Sequence, residues 1–157
     1  MGINFIKKYL DNLLIAVEKK IKEEDPDTEF KFVRMFLENE EYKNKMIKDY
    51  QKKKFKFIIV SADKFSQKVK SGEIYKTQTY KITIATENKS QDEGFNEVTN
   101  LANQLIDFFT SKPLAIEKRD GYSYHVNLDS IIGQLNLELT TGDYWIYELY
   151  VTLDLPL

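Results

Sequence analysis

The sequence predicts an α+β fold in which a mostly antiparallel β-sheet packs against two amphipathic helices. Three observations lead to this fold class. Apolar residues recur at three- and four-residue steps near the start of the chain and again around residue 100, which is the spacing of a helix that buries one face. Much of the remaining chain alternates apolar and polar residues as β-strands do. With 157 residues and no repeat or Gly/Ser linker, the chain fits a single domain spanning residues 1–157.

The two helices are predicted over residues 3–21 and 95–109. An Asp-Pro pair ends the first, because a residue that precedes proline disfavours the helical conformation. Ahead of the second, Ser90 and Glu93 have the spacing of a capping box, in which both side chains accept hydrogen bonds from unpaired N–H groups at the helix start. Phe95 is the first member of the predicted apolar face of this helix.

The first half of the chain also predicts three strands. Residues 30–36 alternate roughly, residues 55–60 form a nearly continuous apolar run that indicates burial on both sides of a sheet, and residues 74–86 alternate clearly. We expect the last two strands to be antiparallel and to be joined by a polar, lysine-rich loop at residues 61–72. Residues 39–53 leave two alternatives open, a helix or a mobile charged loop.

The end of the chain predicts β-structure. Residues 114–118 and 122–126 flank an Asp-Gly pair, which favours a tight turn. Residues 134–140 and 145–153 alternate on either side of a Thr-Gly-Asp sequence, which predicts a long hairpin. We expect its second strand to lie at the outside of the sheet, where it would offer an edge that another chain can extend.

The composition argues against several classes of protein. Cysteine is absent, which excludes disulfides, thiolate nucleophiles and Cys-ligated metals. No apolar run approaches the roughly 20 residues of a membrane-spanning helix, and the start does not resemble a signal peptide, so we expect a cytoplasmic protein. The net charge of −2 gives no general attraction to nucleic acid or to an anionic membrane. Arg34 and Arg119 are the only arginines, the residue that bidentate phosphate recognition prefers.

Residues that could carry chemistry are sparse. His125 is the only histidine, and no phosphate-cradling loop, dinucleotide-binding motif or nucleophile elbow is present. Asp25, Asp27 and Glu29 alternate like the start of an EF-hand loop, but the glycine and the distal glutamate of that loop are missing. We therefore expect no enzymatic activity, no catalytic, cofactor-binding or metal-ligating residues, and no cofactor. A hydrolase that uses two carboxylates distant in sequence stays open as an alternative.

The strongest charge feature is a lysine strip that runs from Lys43 to Lys56 with Asp49 as its only acid. Aromatic residues, among them Tyr50 and Phe57, are interleaved with the lysines. Basic residues with aromatics are typical of a platform for single-stranded nucleic acid. The favoured interpretation is a solvated helix face, because Phe57 belongs to an apolar strand that the core requires. A small nucleic-acid-binding module that uses this strip stays open as the alternative.

The order of these elements resembles the tail terminator, or tail completion, proteins of bacteriophages and of phage-tail-like bacteriocins. The features that carry the resemblance are the helix at residues 3–21, the strand pair around 57–60 and 80–84, the helix at 95–109 and the aromatic-to-aliphatic strand at 144–151. The resemblance covers nearly the whole chain and is a pattern of elements without a sequence signature. The chain departs from the family at residues 25–54, which we interpret as an insertion or a mobile segment.

This resemblance implies a structural assembly protein without catalysis. It implies a homo-hexameric ring that caps the tail tube, ends tube and sheath polymerisation, and presents a surface to a head–tail connector. The protein would assemble in the cytoplasm and then belong to the virion or tail-like particle, with no membrane contact and with DNA only passing through its lumen. Another head–tail connector or completion component with the same layout is the alternative.

The same resemblance implies that the subunit contacts lie on loops and strand edges. The expected contact residues belong to the polar loop, to the Asp-Gly turn and to the last strand: Lys64, Phe65, Lys68, Lys70, Asp120, Tyr122, Tyr124, Trp145, Tyr147 and Tyr150. For the last strand, packing within the domain's own core is the alternative.

Overall fold

Three helices and seven strands make up the described part of the chain. The computed structural model describes the backbone of residues 3–37, 40–111, 114–119, 122–126, 128–137, 140 and 142–154, and the side chains of residues 9–35, 41–69, 71–111, 128–137, 140 and 142–154. The elements are α1 (Ile3–Glu24), β1 (Lys31–Leu37), α2 (Glu40–Lys52), β2 (Phe57–Lys70), β3 (Glu73–Glu87), α3 (Gln91–Ser111), β4 (Leu114–Arg119), β5 (Tyr122–Val126), β6 (Leu128–Leu135) and β7 (Tyr144–Asp154).

The strands form one main sheet and a separate hairpin. The main sheet has the order β1-β2-β3-β7-β6, and β4 pairs with β5. β1 and β2 run parallel, which requires a crossover connection, and α2 supplies it. The other neighbouring pairs are antiparallel. The expected α+β class with a mostly antiparallel sheet is confirmed.

Helices α1 and α3 cover one face of the main sheet, which we call the first face. Because successive strand residues point to opposite sides, Tyr80, Ile82 and Ile84 of β3 all lie on this face, and all three are fully buried. The core that they form also includes Leu10, Leu13 and Val17 of α1, Val98, Leu105 and Phe109 of α3, and Leu149, Val151 and Leu153 of β7.

Helix α2 covers part of the opposite face, which we call the second face. Ile47 of α2 belongs to a buried cluster with Phe57 and Ile59 of β2 and Ile146 of β7. The expectation that two helices cover the sheet is therefore incomplete, and the helical alternative for residues 39–53 is the observed one. The two-sided burial expected at the start of β2 is confirmed, since Phe57, Ile58, Ile59 and Val60 are all fully buried.

The predicted final hairpin forms, since β6 and β7 are antiparallel neighbours, but the predicted bounds of its first strand and the outer position of its second strand are wrong. Its first strand, β6, ends at Leu135, where the Asn136 N–H donates to the Ile146 carbonyl oxygen at 2.8 Å. The Thr140 N–H donates to the Asn136 carbonyl oxygen at 3.0 Å, so the described residues between Leu135 and Thr140 do not continue β6. β7 lies between β3 and β6, and is therefore an internal strand and not the outer edge.

The predicted polar loop at residues 61–72 is also wrong. Residues 61–70 continue β2 and pair with β3 as far as Lys70 and Glu73. The described side chains from Ala62 onward are at least partly exposed, and the large apolar ones, Phe65 and Val69, are four residues apart, so the sequence shows no clear alternation. Backbone pairing with β3 holds this part of the strand, and the pattern of side chains in the sequence does not reveal that pairing.

Helix α2 ends in a Schellman motif. Lys54 has a positive φ of 57°, and the Phe55 N–H donates to the Tyr50 carbonyl oxygen at 3.0 Å. The Lys54 N–H donates to the Gln51 carbonyl oxygen at 3.1 Å, which completes the motif. Tyr144 of β7 joins this turn to the sheet, because its hydroxyl donates to the Phe55 carbonyl oxygen at 2.9 Å. Burial raises the pKa of Tyr144 to about 12, so the hydroxyl keeps its proton.

Helix α3 begins with half of the predicted capping box. The Glu93 N–H donates to Ser90 Oγ at 3.4 Å, as the box requires. The Ser90 N–H donates instead to Asn88 Oδ1 at 2.9 Å. Asn88 therefore has the role that the sequence assigned to the Glu93 carboxylate.

The first turn of α3 approaches β7 at a glycine. Gly94 is buried, whereas Phe95, which we expected on the apolar face, is exposed. Trp145 of β7 fills the adjacent space, and a Cβ atom at position 94 would lie 2.0 Å from its Nε1. The Trp145 N–H donates to the Asn88 carbonyl oxygen at 3.2 Å, which holds the ring against the helix start. The close approach of this ring therefore requires glycine at position 94.

We predict that Lys54→Gly stabilises the protein by about 0.5–1 kcal/mol, because glycine adopts the left-handed conformation without steric cost. The matched control is Lys52→Gly, in the last turn of α2, which should cost about 1 kcal/mol. Urea unfolding followed by circular dichroism measures both changes. Equal losses in the two variants would contradict the role assigned to Lys54.

We predict that Gly94→Ala destabilises the protein by about 1–3 kcal/mol, because the added methyl group displaces the indole of Trp145. The control is Asn100→Ala at an exposed position of the same helix, which should change stability by less than about 0.5 kcal/mol. Trp145 is the only tryptophan, so its fluorescence reports the displacement directly. An unchanged emission spectrum and urea midpoint in Gly94→Ala would refute the prediction.

Candidate interaction surface

The β2–β3 hairpin extends beyond the rest of the main sheet. The last residue of β2 that pairs with β1 is Ala62, and Asp63 forms a bulge in the pairing with β3. On the other side, Thr77 and Asp154 form the last described pair of β3 and β7. Residues 64–76 therefore form a two-stranded projection, which we call the arm. Bulges bend and twist a strand, so Asp63 marks the place where the arm leaves the sheet.

A tight turn closes the tip of the arm. Ser71 and Gly72 have positive φ angles of 54° and 78°, and Lys70 pairs with Glu73 across them. Two successive residues in this conformation form a type I′ turn, whose twist matches that of an antiparallel hairpin. The arm therefore has a defined register up to its tip.

The arm exposes an apolar stripe. Phe65 and Val69 are four residues apart on β2, so their side chains point to the same side of the arm. Ile74 pairs directly with Val69, so its side chain lies on that side too. Their exposed fractions are 48%, 71% and 45%. Large apolar side chains that are grouped and exposed commonly mark a protein-binding surface.

The same arm is basic, and an acidic corner lies beside it. Lys64 and Lys68 are exposed on the arm. A groove of about 710 Å³ separates the arm from the ends of β6 and β7, and its lining includes Lys68, Asp129 and Asp154. Burial raises the pKa of Asp154, and the neighbouring Asp129 raises it further. The start of β6 and the end of β7 each contribute one acidic residue to this groove, whereas the arm carries an excess of lysine.

The arm contains one group of the contact residues that we expected from the sequence. Lys64, Phe65 and Lys68 lie on it with exposed side chains. Lys70 lies at the end of β2, and its side chain is outside the described residues. The expected contact at Asp120 lies outside the described backbone as well.

The hairpin of β4 and β5 contains Tyr122, Tyr124 and His125. Tyr122 pairs with Arg119, and Tyr124 and His125 also lie in β5, but their side chains are outside the described residues. The expectation of a contact at Tyr122 and Tyr124 therefore stays a prediction.

The expected contact residues of the last strand do not lie with the arm. Trp145 and Tyr147 are half-buried on the first face and pack against the helical core, which is the alternative stated for them. Tyr150 points to the second face, where Lys81 Nζ lies 5.6 Å from the centroid of its ring. Trp145 pairs with Thr86, close to the end of β3 opposite the arm. The structure therefore separates these residues from Lys64, Phe65 and Lys68.

The lysine strip does not form a continuous aromatic platform. Lys43 and Phe57 are buried, and Lys56 Nζ lies 2.9 Å from Glu97 Oε1 of α3. Lys53 Nζ lies 3.2 Å from Asp49 Oδ2. Lys43, Lys56 and Phe57 are therefore removed from a shared exposed surface. Tyr42, Lys45, Lys48, Tyr50 and Lys52, in contrast, line one groove of about 500 Å³ along α2, so the nucleic-acid alternative stays a prediction.

A buried ion pair crosses the second face beside α2. Lys81 Nζ lies 2.6 Å from Glu148 Oε2, and the Asn136 side-chain amide donates to Glu148 Oε1 at 2.6 Å. Glu148 is almost fully buried, so its charge depends on these partners. The hydroxyl groups of Ser61 and Thr83 are also buried here and have no hydrogen-bond partner within the described part of the chain. This cluster is a polar layer inside the fold.

Comparison with protein-family models found no match to this chain. Comparison with curated proteins found none either.

No group of three or more His, Asp or Glu side chains in the described part of the chain could hold a metal ion. None of the described helices combines the length and the apolar character needed to cross a membrane.

Sequence reasoning missed Val69, Ile74 and Tyr75 as members of an exposed surface. A usable signal was present, because Ser71-Gly72 is a turn-forming pair placed directly before the clearly alternating strand. A turn there implies a hairpin partner of similar length before it, which predicts that β2 reaches Lys70.

We predict that Glu148→Gln destabilises the protein by about 2–4 kcal/mol, because it leaves Lys81 charged and without its carboxylate on a largely buried surface. The double variant Lys81→Met/Glu148→Gln should recover most of that loss, since it removes both charges. Urea unfolding of the wild type, both single variants and the double variant gives the coupling energy. Additive effects would show that the two side chains do not stabilise each other.

Proposed function

We propose that this protein is a structural subunit that caps a phage-type tail tube as a homo-hexameric ring and ends tube and sheath polymerisation. The observation that carries the proposal is the arm, which combines exposed apolar side chains with a β-strand edge that has no partner within the described chain. Such a projection is suited to contact a neighbouring subunit. The order of helices and strands, which resembles that of tail terminators, supplies the link to tails.

The proposal includes a mode of action without catalysis. The subunit would act by shape and charge, through contacts with itself, with the tube and sheath proteins below it, and with a head–tail connector above it. It would assemble in the cytoplasm and stay in the finished particle. Another connector or completion component of the head–tail junction is the alternative, because an arm of this kind serves any ring-forming subunit.

The test is to polymerise the tail-tube protein of the same particle with and without this protein. A terminator should bind one end of each tube as a six-fold ring in negative-stain images and should shorten the tubes as its concentration rises. Light scattering of the protein alone gives its oligomeric state. Tubes of unchanged length without end-bound rings would overturn the proposal, and binding to purified connector complexes alone would favour the alternative.

A further inference from the structure

We propose that the outer edge of β2 in the arm pairs with the outer edge of β6 in a second copy of this chain. This inference deepens the proposed function and rests on it, because a ring brings identical subunits side by side. It names the two surfaces that would form the contact between subunits.

The donor edge is the outer side of residues 64–70. Lys70 and Glu73 flank a two-residue turn and therefore form a hydrogen-bonded pair. Because hydrogen-bonded and non-hydrogen-bonded positions alternate along an antiparallel pair, the N–H groups of Phe65, Gln67 and Val69 point away from β3. The last described residue of β1, Leu37, pairs with Ala62, so no described strand lies beside these donors.

The acceptor edge is the outer side of β6, the last strand of the main sheet. β6 has eight residues, which is enough to pair with all of residues 64–70. Ile132 is 63% exposed on the second face of β6, although it lies in the middle of the strand. An exposed apolar strand at a sheet edge is a site where another strand can add.

Among the described edges of the main sheet, β6 is the one whose charge is opposite to that of the arm. Residues 64–70 contain Lys64, Lys68 and Lys70 and no acid, whereas β6 contains Asp129 and no basic residue. The opposite edge strand, β1, offers the arm no acidic residue, since it carries Lys31 and Arg34, and Arg34 is paired with Asp11 of α1. Pairing of two arms with each other would bring their lysines together, and like charges on paired strands are destabilising.

The strand directions allow this contact to repeat. β2 and β6 run in opposite directions within one subunit, so copies that keep the same sheet orientation present them to each other as an antiparallel pair. The contact joins two different surfaces, and such heterologous contacts produce rings when the rotation closes. In a closed ring, the donor edge of every subunit would pair with the acceptor edge of the next subunit, so every edge would have a partner.

The donor is tested with Gln67→Pro, which removes one outward N–H and leaves the bonds between β2 and β3 in place. The matched control is Gln67→Ala. We expect self-association, measured by light scattering over a wide range of concentration, to weaken about tenfold or more in Gln67→Pro and to persist in Gln67→Ala. Circular dichroism and urea unfolding check that both variants fold.

The acceptor is tested without changing the arm. Ile132→Lys adds a positive charge at an exposed position of β6, and Ile132→Glu adds a negative charge at the same position. We expect the lysine variant to lose association and the glutamate variant to retain it. An equal mixture of Gln67→Pro and the lysine variant should form dimers and nothing larger, because only one intact contact remains between them.

The pairing of the arm with β6 and the terminator role can fail independently of each other in these experiments. Rings that still cap tubes with Gln67→Pro, or with the lysine variant of β6, would overturn the pairing of the arm with β6 and leave the terminator proposal standing. A mixture that forms no dimers would overturn the pairing as well. A wild-type protein that stays monomeric alone and in the presence of tubes would overturn both.

Discussion

The rest of the structure depends on the burial of β3 from both sides. Residues 82–86 are fully buried, although alternate side chains of this strand point to opposite faces. Removing both faces from water requires a helical layer on each side, and α1 and α3 supply only the first. The second comes from α2, which reaches the other face because β1 and β2 are parallel and need a crossover between them. The parallel pair β1–β2 at the edge of the sheet therefore brings in the helix that buries the second face of β3 at the centre of the sheet.

Two-sided burial also explains why polar groups lie inside the fold. The second face becomes polar next to α2, so Thr83 and Glu148 are enclosed together with the apolar cluster around Ile47. A buried carboxylate is tolerated only with close partners, and Lys81 and Asn136 supply them. Catalytic sites commonly use buried charge of this kind. Here the carboxylate is matched by one cation and one amide, which suits a structural contact that fixes the register of β3 and β7.

The arm contrasts with this closed core. Its backbone has a bulge at its base and a type I′ turn at its tip, yet no layer of described residues covers its apolar side chains. A strand pair of this kind gains little from burial within its own subunit, because its apolar stripe stays in water. A neighbouring subunit can supply the missing partner, and the assembly role that we propose follows from this difference between a covered sheet and an uncovered extension of it.

Local pattern in the sequence determined the two amphipathic helices, the buried start of β2, the clear alternation of β3 and the α+β class, because each of these buries a regular face. It also marked Lys64, Phe65 and Lys68 as exposed, without showing that they lie on a strand. Only the tertiary structure decided that β6 ends at Leu135, that β7 is internal, and that Trp145 requires Gly94. The physical reason is that backbone pairing and close approach between distant segments leave no period in the side chains, whereas burial of one face does.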